Sequence, residues 1–97
     1  MPLPLRVVST KRFERSYRRY VGRNQKRKDN VDAALRQLAS DMNDPRLKIH
    51  ALAGELSGRF ACSCGYDCRI VFKVEINPVD SAREILLHHV GTHDEVY

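Results

Sequence analysis

Hydrophobic and polar residues alternate with a period of two in three parts of the chain, and this period is typical of β-strands. Leu5–Ser9 alternates around β-branched residues and predicts a short strand at or near a sheet edge. Residues 59–74 alternate on both sides of the turn residues at 65–67 and predict an antiparallel hairpin. Residues 84–90 are almost continuously apolar and predict a central strand.

Two other stretches have the helical period of 3.6 residues. The first repeat begins after Ser9 and Thr10, either of which can cap a helix, and consists of Phe13, Tyr17, Tyr20 and Val21. The second repeat consists of Val31, Ala34, Leu35, Leu38 and Met42. Asp29 is a suitable N-cap for this second helix, and Asn43-Asp44-Pro45 predicts its end.

The order of these elements predicts an α+β domain with the order β-α-α-β-β-β. Two N-terminal helices pack on one face of a twisted, mainly antiparallel four-stranded sheet, and the other face stays partly open. Residues 46–56 have no clean period and are expected to form a loop that exposes His50. A chain of 97 residues suffices for one modest core, so residues 1–97 are expected to form a single domain.

Positive charge is concentrated at the start of the chain. The net charge is +5, but residues 1–28 contain ten Lys and Arg and one acid, whereas residues 29–97 contain seven Lys and Arg and eleven acids. Such a block is often only a solvated helix face, yet it also attracts a phosphate backbone. The predicted RNA- or ribosome-binding residues are Lys11, Arg12, Arg15, Arg18, Arg19, Lys26, Arg27 and Lys28.

Three cysteines have the spacing C-x-C-x3-C at Cys62, Cys64 and Cys68. This spacing lacks the C-x2-C pair of zinc ribbons, so we predict no metal site and no cofactor. The cysteines are expected to be reduced and to pack as small hydrophobic residues. The sequence contains neither a membrane-length apolar run nor a signal peptide, which predicts a cytoplasmic protein without a membrane partner.

The region from residue 47 to the end of the chain resembles a known protein family. It contains the pattern LxxHxLxGxLxGxFxCxxxYDCRIVFKV, followed by VGTHDEVY at the end. This order and spacing resemble the RelE/ParE superfamily of bacterial toxins, and the YafQ-type branch most of all. The resemblance covers the chain from the Phe13 helix to Tyr97 and implies the same RelE-like microbial RNase fold that the element order predicts.

The resemblance implies a function as well as a fold. It implies the toxin of a type II toxin–antitoxin system, an mRNA interferase that cleaves mRNA in the A site of the 70S ribosome and so inhibits translation. A cognate antitoxin is then the expected protein partner. The implied reaction uses general acid–base catalysis and no metal.

Three residues match catalytic positions of this family, namely His50, Asp67 and His93. Ser63 occupies the position of a further family histidine, and Cys68 replaces an aromatic residue after the acid. Histidine suits both proton transfers because imidazole titrates near neutral pH. We therefore expect His50 to act as base, aided by Asp67, and His93 to act as acid. The residues expected to contact phosphate or substrate are Arg69, Arg59, Ser63, Lys73 and Tyr97.

Two alternatives remain at this point. A ParE-like inhibitor of DNA gyrase and a catalytically weak relative with a binding or regulatory function are both built on this scaffold, and Ser63 favours them. The combination of His50, Asp67 and His93 favours the nuclease. Arg69 has a second interpretation, in which it braces the turn by binding backbone carbonyls. His88 and His89 are expected on opposite strand faces, in packing or surface roles.

Overall fold

The computed structural model describes residues 5–96, and its side chains are described for residues 6–94. None of the helices in this range is long and apolar enough to cross a bilayer. Two 3-10 turns, Pro45–Leu47 and Gly54–Leu56, flank the second strand. The helices and strands are β1 (Leu5–Ser9), α1 (Lys11–Val21), α2 (Gln25–Ser40), β2 (His50–Ala51), β3 (Phe60–Ser63), β4 (Arg69–Ile76), β5 (Arg83–Gly91) and α3 (His93–Val96).

The five strands form one mixed sheet in the order β1-β5-β4-β3-β2. β1 runs parallel to β5, and every other neighbouring pair is antiparallel. The predicted α+β class, the edge position of β1 and the central position of β5 are therefore confirmed. The predicted count of four strands is wrong, because β2 adds a two-residue strand within the predicted loop by pairing His50 with Ala61 and Ala51 with Phe60.

The two long helices begin at residues with capping side chains. Thr10 Oγ1 accepts a hydrogen bond from the Phe13 amide at 3.1 Å and donates one to the Leu87 carbonyl at 2.8 Å, so it fixes the start of α1 to β5. Asn24 caps α2, whose first residue is Gln25. The predicted cap at Asp29 is therefore wrong, since the run of Gln, Lys and Arg before it consists of good helix formers.

The core lies between the two helices and one face of the sheet. Phe13 and three residues of α2 are buried against the central strands. The largest fully buried side chains are Phe72, Leu38, Ile70, Ile85, Val31, Val90, Cys62 and Cys68. The predicted packing of both helices on one sheet face is confirmed, and the opposite face is left to present polar side chains.

A bulge interrupts the pairing of the two longest strands. Val71 pairs with His89 and Phe72 pairs with Leu87, which leaves His88 as an extra residue on β5. Leu87 and Val90 are both in the core although three positions separate them. Strict alternation is therefore lost, and the prediction that His88 and His89 occupy opposite faces is wrong.

The cysteines differ from the prediction in their redox state. Cys64 and Cys68 are joined by a disulfide whose Cα atoms lie 4.9 Å apart, and the Cys64 amide donates to the Cys68 carbonyl at 3.0 Å. The pair closes the turn that carries Gly65, Tyr66 and Asp67. Cys62 is reduced and buried, and this burial raises the pKa of its thiol to about 12.

Candidate active site on the open sheet face

The strand register places three of the predicted site residues on the face opposite the helices. His50 pairs with Ala61, and Ser63, two residues further along β3, pairs with Arg69. Paired residues in an antiparallel sheet share a face, and so do residues two apart on one strand. His50, Ser63 and Arg69 therefore all lie on the open face.

The hairpin tip is braced by two of these side chains. Ser63 Oγ donates to the Gly65 carbonyl at 3.2 Å, and Arg69 Nη1 donates to the same carbonyl at 3.4 Å. Arg69 Nη1 also donates to the Cys68 carbonyl at 2.8 Å. The guanidinium thus braces the turn, which is the second interpretation given to Arg69 from the sequence, while its positive charge remains at the end of the sheet.

Asp67 connects the hairpin tip to the C-terminal segment. Its Oδ1 accepts a hydrogen bond at 3.0 Å from the backbone amide of His93, the first residue of α3. A carboxylate suits this position because the first amides of a helix have no acceptor within the helix. The imidazole of His93 is 58% exposed, and its Nδ1 lies 3.8 Å from Asp94 Oδ1. Asp67 therefore fixes the point at which His93 enters the site.

His50 is oriented by the backbone of the preceding turn. Its Nδ1 lies 3.2 Å from the Lys48 carbonyl oxygen. Since a carbonyl only accepts, this contact is a hydrogen bond when Nδ1 carries the proton, and the lone pair then lies on Nε2. Lys48 adopts a left-handed conformation with φ of 50°, which is uncommon for a residue other than glycine. A His50 ring that carries its proton on Nδ1 presents the Nε2 lone pair to the exposed side, which is the arrangement that a base requires.

The two histidines stand at opposite sides of the site. His50 lies on the edge strand β2, whereas His93 follows β5, so the sheet alone separates their backbones by three strand spacings, or roughly 14 Å. The register aligns His50 with His89, so His93 also lies further along the strand direction. Ser63, Asp67 and Arg69 occupy the hairpin between them. A substrate phosphate that contacts both imidazoles must therefore lie across this hairpin, next to the Arg69 guanidinium.

Arg59 and Lys73 share the open face but lie at its other end. Arg59 precedes Ser63 by four residues, or about 13 Å along an extended strand. Lys73 forms an ion pair with Glu75 at 3.1 Å. His88, for which the sequence predicts a packing role, lies near both cations. Burial first, and then the charges of Arg59, Arg12 and Lys73, lower the pKa of its imidazole.

The basic residues of α1 fall into two groups. Arg12, Arg15 and Arg19 line a groove of about 410 Å³ together with His89 at the side of β5. Arg18 lines a different groove, which also contains Glu14 and Asp32. The spacing i, i+3 and i+7 explains why the first three arginines share one helix face. That face adjoins the open sheet face and extends its positive charge.

The remaining predicted cations lie away from this groove. Lys11 and Lys26 are exposed. Arg27 donates to the Tyr20 carbonyl at 3.0 Å and its guanidinium lies 4.5 Å from the centre of the Tyr20 ring. Lys28 forms an ion pair with Asp32 at 2.7 Å, which raises the pKa of Lys28 and offsets its charge. Tyr97 lies outside the described residues, so its predicted contact with substrate stays a prediction.

Solved structures of bacterial toxins have the same fold. YafQ from Escherichia coli BL21(DE3) is 12% identical, with a TM-score of 0.75 over 94% of this chain and 96% of that chain. A YoeB/ParE toxin from Agrobacterium tumefaciens is 15% identical, with a TM-score of 0.72 over 91% of this chain and 98% of that chain. YafQ in the E. coli DinJ–YafQ complex is 14% identical, with a TM-score of 0.68 over 94% and 96%. No curated protein matches the sequence.

These similarities define the fold as that of the RelE- and YafQ-type toxins. The family model for YafQ, described as a bacterial toxin of type II toxin–antitoxin systems, matches residues 5–97. The chain belongs to this family, and the resemblance inferred from its sequence is confirmed. It is thus a type II toxin of the mRNA interferase class, an endoribonuclease.

Proposed function

We propose that this toxin cleaves ribosome-bound mRNA in the cytoplasm by general acid–base catalysis that requires no metal. His50 takes the proton from the attacking 2′-hydroxyl, and His93 gives a proton to the leaving 5′-oxygen. Arg69, at the hairpin between them, stabilises the charge that develops on the phosphate. Arg59 and Lys73 bind phosphates further along the open face, and Ser63 and Tyr97 contact the substrate.

The observation that carries this assignment is the hydrogen bond from the His93 amide to Asp67. It joins two segments that lie 26 residues apart in sequence and brings the only described histidine of α3 to the hairpin. The bond holds the backbone of His93 beside the hairpin, which supports its assignment as the acid. In this assignment Asp67 positions His93, the proposed acid. The sequence alone suggests instead that Asp67 aids His50, the proposed base.

Ser63 limits the rate of the proposed reaction but not its class. The serine hydroxyl already donates to the Gly65 carbonyl. It therefore contributes to the shape of the turn and supplies no proton at neutral pH. Loss of one positioned acid or base typically costs about 10²–10⁴-fold in rate. We expect slower cleavage than a site with a third histidine would give.

A cognate antitoxin is the proposed protein partner. The similar E. coli YafQ is found in complex with DinJ. In this chain, the arginine groove of α1 and the open face provide a cationic surface that an acidic antitoxin segment would neutralise. Such a segment would block the proposed site by occupying the place of the phosphates.

The test is cleavage of mRNA on purified ribosomes at a constant Mg²⁺ concentration by toxin dialysed against EDTA and by undialysed toxin, together with cleavage of a short ribosome-free RNA in EDTA at high toxin concentration. We expect truncated mRNA in both conditions, and we expect the purified antitoxin to stop the reaction. Loss of cleavage after dialysis that added metal restores, or loss of the ribosome-free cleavage in EDTA, would contradict the metal-independent mechanism. Intact transcripts together with a DNA-damage response after expression in cells would instead favour a gyrase inhibitor.

A further inference from the structure

A groove of about 560 Å³ lies between α2 and the tip of the β3–β4 hairpin. Its size falls within the range of pockets that hold small ligands, about 300–1,000 Å³. Residues from α2, from the turn before β2 and from the hairpin line it, so three separate segments meet there. The proposed proton transfers and phosphate contacts do not use this groove as a whole.

The groove has an apolar floor and a polar rim. Ala34, Leu47 and Cys64 are buried and provide the floor. The rim carries Arg46 and Lys48, which are both exposed. Arg46 is paired with Asp44 at 2.7 Å, whereas no ion pair is described for Lys48 among residues 6–94. An apolar floor beneath a net positive rim is complementary to a flat nucleobase attached to a phosphate.

Two side chains at the rim have the properties that base recognition requires. Tyr66 is fully exposed, with a relative accessibility of 102%, so its ring is available for stacking. Asn30, on α2, lies beside the hairpin tip, where a Cβ added at Gly65 would be 3.1 Å from its Nδ2. Its amide carries both a donor and acceptors, as hydrogen bonding to a base edge requires. Gly65 allows the hairpin to come this close to α2.

The groove reaches the proposed active site at two points. Ser63 and Arg69 line it and also belong to the open face. Lys48 lines it as well, and its carbonyl is the atom that orients His50. A nucleotide in the groove therefore has its phosphate beside the residues that are proposed to act on the scissile bond.

We propose that this groove binds the base of a nucleotide adjacent to the scissile phosphodiester, and that Tyr66 and Asn30 determine which base is preferred. The inference rests on the proposed nuclease function. The ligand is single-stranded RNA, because a paired base presents neither its face to a tyrosine nor its full edge to an amide. Tyr66 supplies affinity by stacking, and Asn30 supplies the choice of base.

The first test is binding, which requires no catalysis. Short single-stranded RNA is titrated against the His93→Ala protein and against the same protein with Tyr66→Ala or Tyr66→Phe. We expect Tyr66→Ala to weaken binding roughly 5- to 150-fold, the range for loss of one stacked base. Tyr66→Phe retains the ring and should bind almost normally, which makes it the matched control. Equal binding by all three proteins would overturn the stacking role.

The second test is base preference. RNAs randomised around the cleavage site are cleaved by the wild type and by Asn30→Ala, a change that favours helix formation in α2. We expect Asn30→Ala to flatten the preference at one position and to leave the other positions unchanged. An unchanged profile would overturn the proposal. Absence of cleavage by the wild type would instead contradict the nuclease function, and the binding test would still decide the stacking role.

An antitoxin segment is the rival occupant of the groove. If Tyr66→Ala weakens antitoxin binding while RNA binding and base preference stay normal, the groove is a protein-binding site and the proposal is wrong. Asn30 is half-buried and Tyr66 is exposed, so thermal unfolding of each variant checks that both positions can be changed without loss of the fold.

Discussion

The hairpin end of the sheet and the basic face of α1 both contribute to the proposed RNA site, but they are built differently. At the hairpin end, Ser63, Asp67 and Arg69 each bond to a backbone group, so their positions are set within a hydrogen-bond length. On α1, Arg12, Arg15 and Arg19 share a helix face and line an open groove. Function at the first region should depend on geometry, and function at the second on the amount of charge.

The largest effect is expected for His93, the proposed acid. His93→Ala should reduce cleavage of ribosome-bound mRNA by about 10²–10⁴-fold, since it removes a positioned proton donor. It should leave the melting temperature almost unchanged, because exposed substitutions typically alter stability by no more than about 0.5 kcal/mol. Single-turnover cleavage and a thermal melt measure both quantities. His88→Ala, which changes a histidine with no proposed role in binding or proton transfer, is the comparison variant, and cleavage by His93→Ala at the wild-type rate would remove His93 from the mechanism.

A smaller effect that depends on geometry is expected for Asp67. Its carboxylate accepts from the His93 amide, and Asn in its place keeps an acceptor oxygen, whereas Ala keeps none. Loss of one hydrogen bond is worth about 1 kcal/mol, so Asp67→Ala should lower the cleavage rate roughly fivefold or more. Asp67→Asn should retain most of the activity.

The comparison of the two Asp67 variants separates positioning from charge. If Asp67→Asn and Asp67→Ala lose activity equally, the negative charge acts on the reaction directly, as an aid to the base, and the positioning role is insufficient. Circular dichroism and melting temperature would show whether α3 and the fold are retained in both.

The difference between the two regions also explains which features could be predicted from the sequence. The strands β1 and β4 and the stripes that α1 and α2 bury have regular periods, which follow from local side-chain geometry, and β5 is marked by its almost continuous apolar run. The order of the elements and the sheet faces followed from those periods. Residue types at the site were indicated by family resemblance, which specifies the side chain but not its contacts.

Features that depend on tertiary contacts could not be predicted in this way. β2 has only two residues, too few for a period, and forms because β3 presents an edge to it. The bulge at His88 depends on the register between β4 and β5. The disulfide requires the turn to bring Cys64 and Cys68 together, and the bond from Asp67 to His93 spans 26 residues. Local patterns contain none of this information.

The basic face of α1 should respond to charge in a graded way. Replacing Arg12, Arg15 and Arg19 with Gln should weaken RNA or ribosome binding and reduce the slope of log K against log salt by roughly 0.7–0.9 for each phosphate that is no longer neutralised. Arg18→Gln is the matched control for each single replacement, because it removes one charge from the same helix but from a different groove. Binding titrations at several salt concentrations measure the slopes. If the slope of the triple variant stays at the wild-type value, these arginines do not contact RNA phosphates. The basic face of α1 is then only solvated, or it binds the antitoxin.

The smallest expected effect is a dependence of stability on pH through His88, the bulge residue of β5 that lies within the influence of Arg12 on α1. Burial and the charges of Arg59, Arg12 and Lys73 lower the pKa of His88 in the folded state, so the unfolded chain accepts a proton more readily. Stability should therefore fall as the pH drops through about 6.5 and below, where the unfolded state binds more protons than the folded state. Carboxylates titrate mostly below this window.

His88→Gln should reduce the loss of melting temperature between pH 7.5 and 5.5, because it removes the group that resists protonation. The difference should be smaller than the roughly 4–8 °C that 1 kcal/mol represents in a domain of this size. His50→Gln is the control, since His50 lies exposed on the opposite edge strand. If both variants change the pH dependence equally, burial and the neighbouring cations do not lower the pKa of His88 as proposed. The positive charge of the basic face of α1 then does not extend to the bulge in β5.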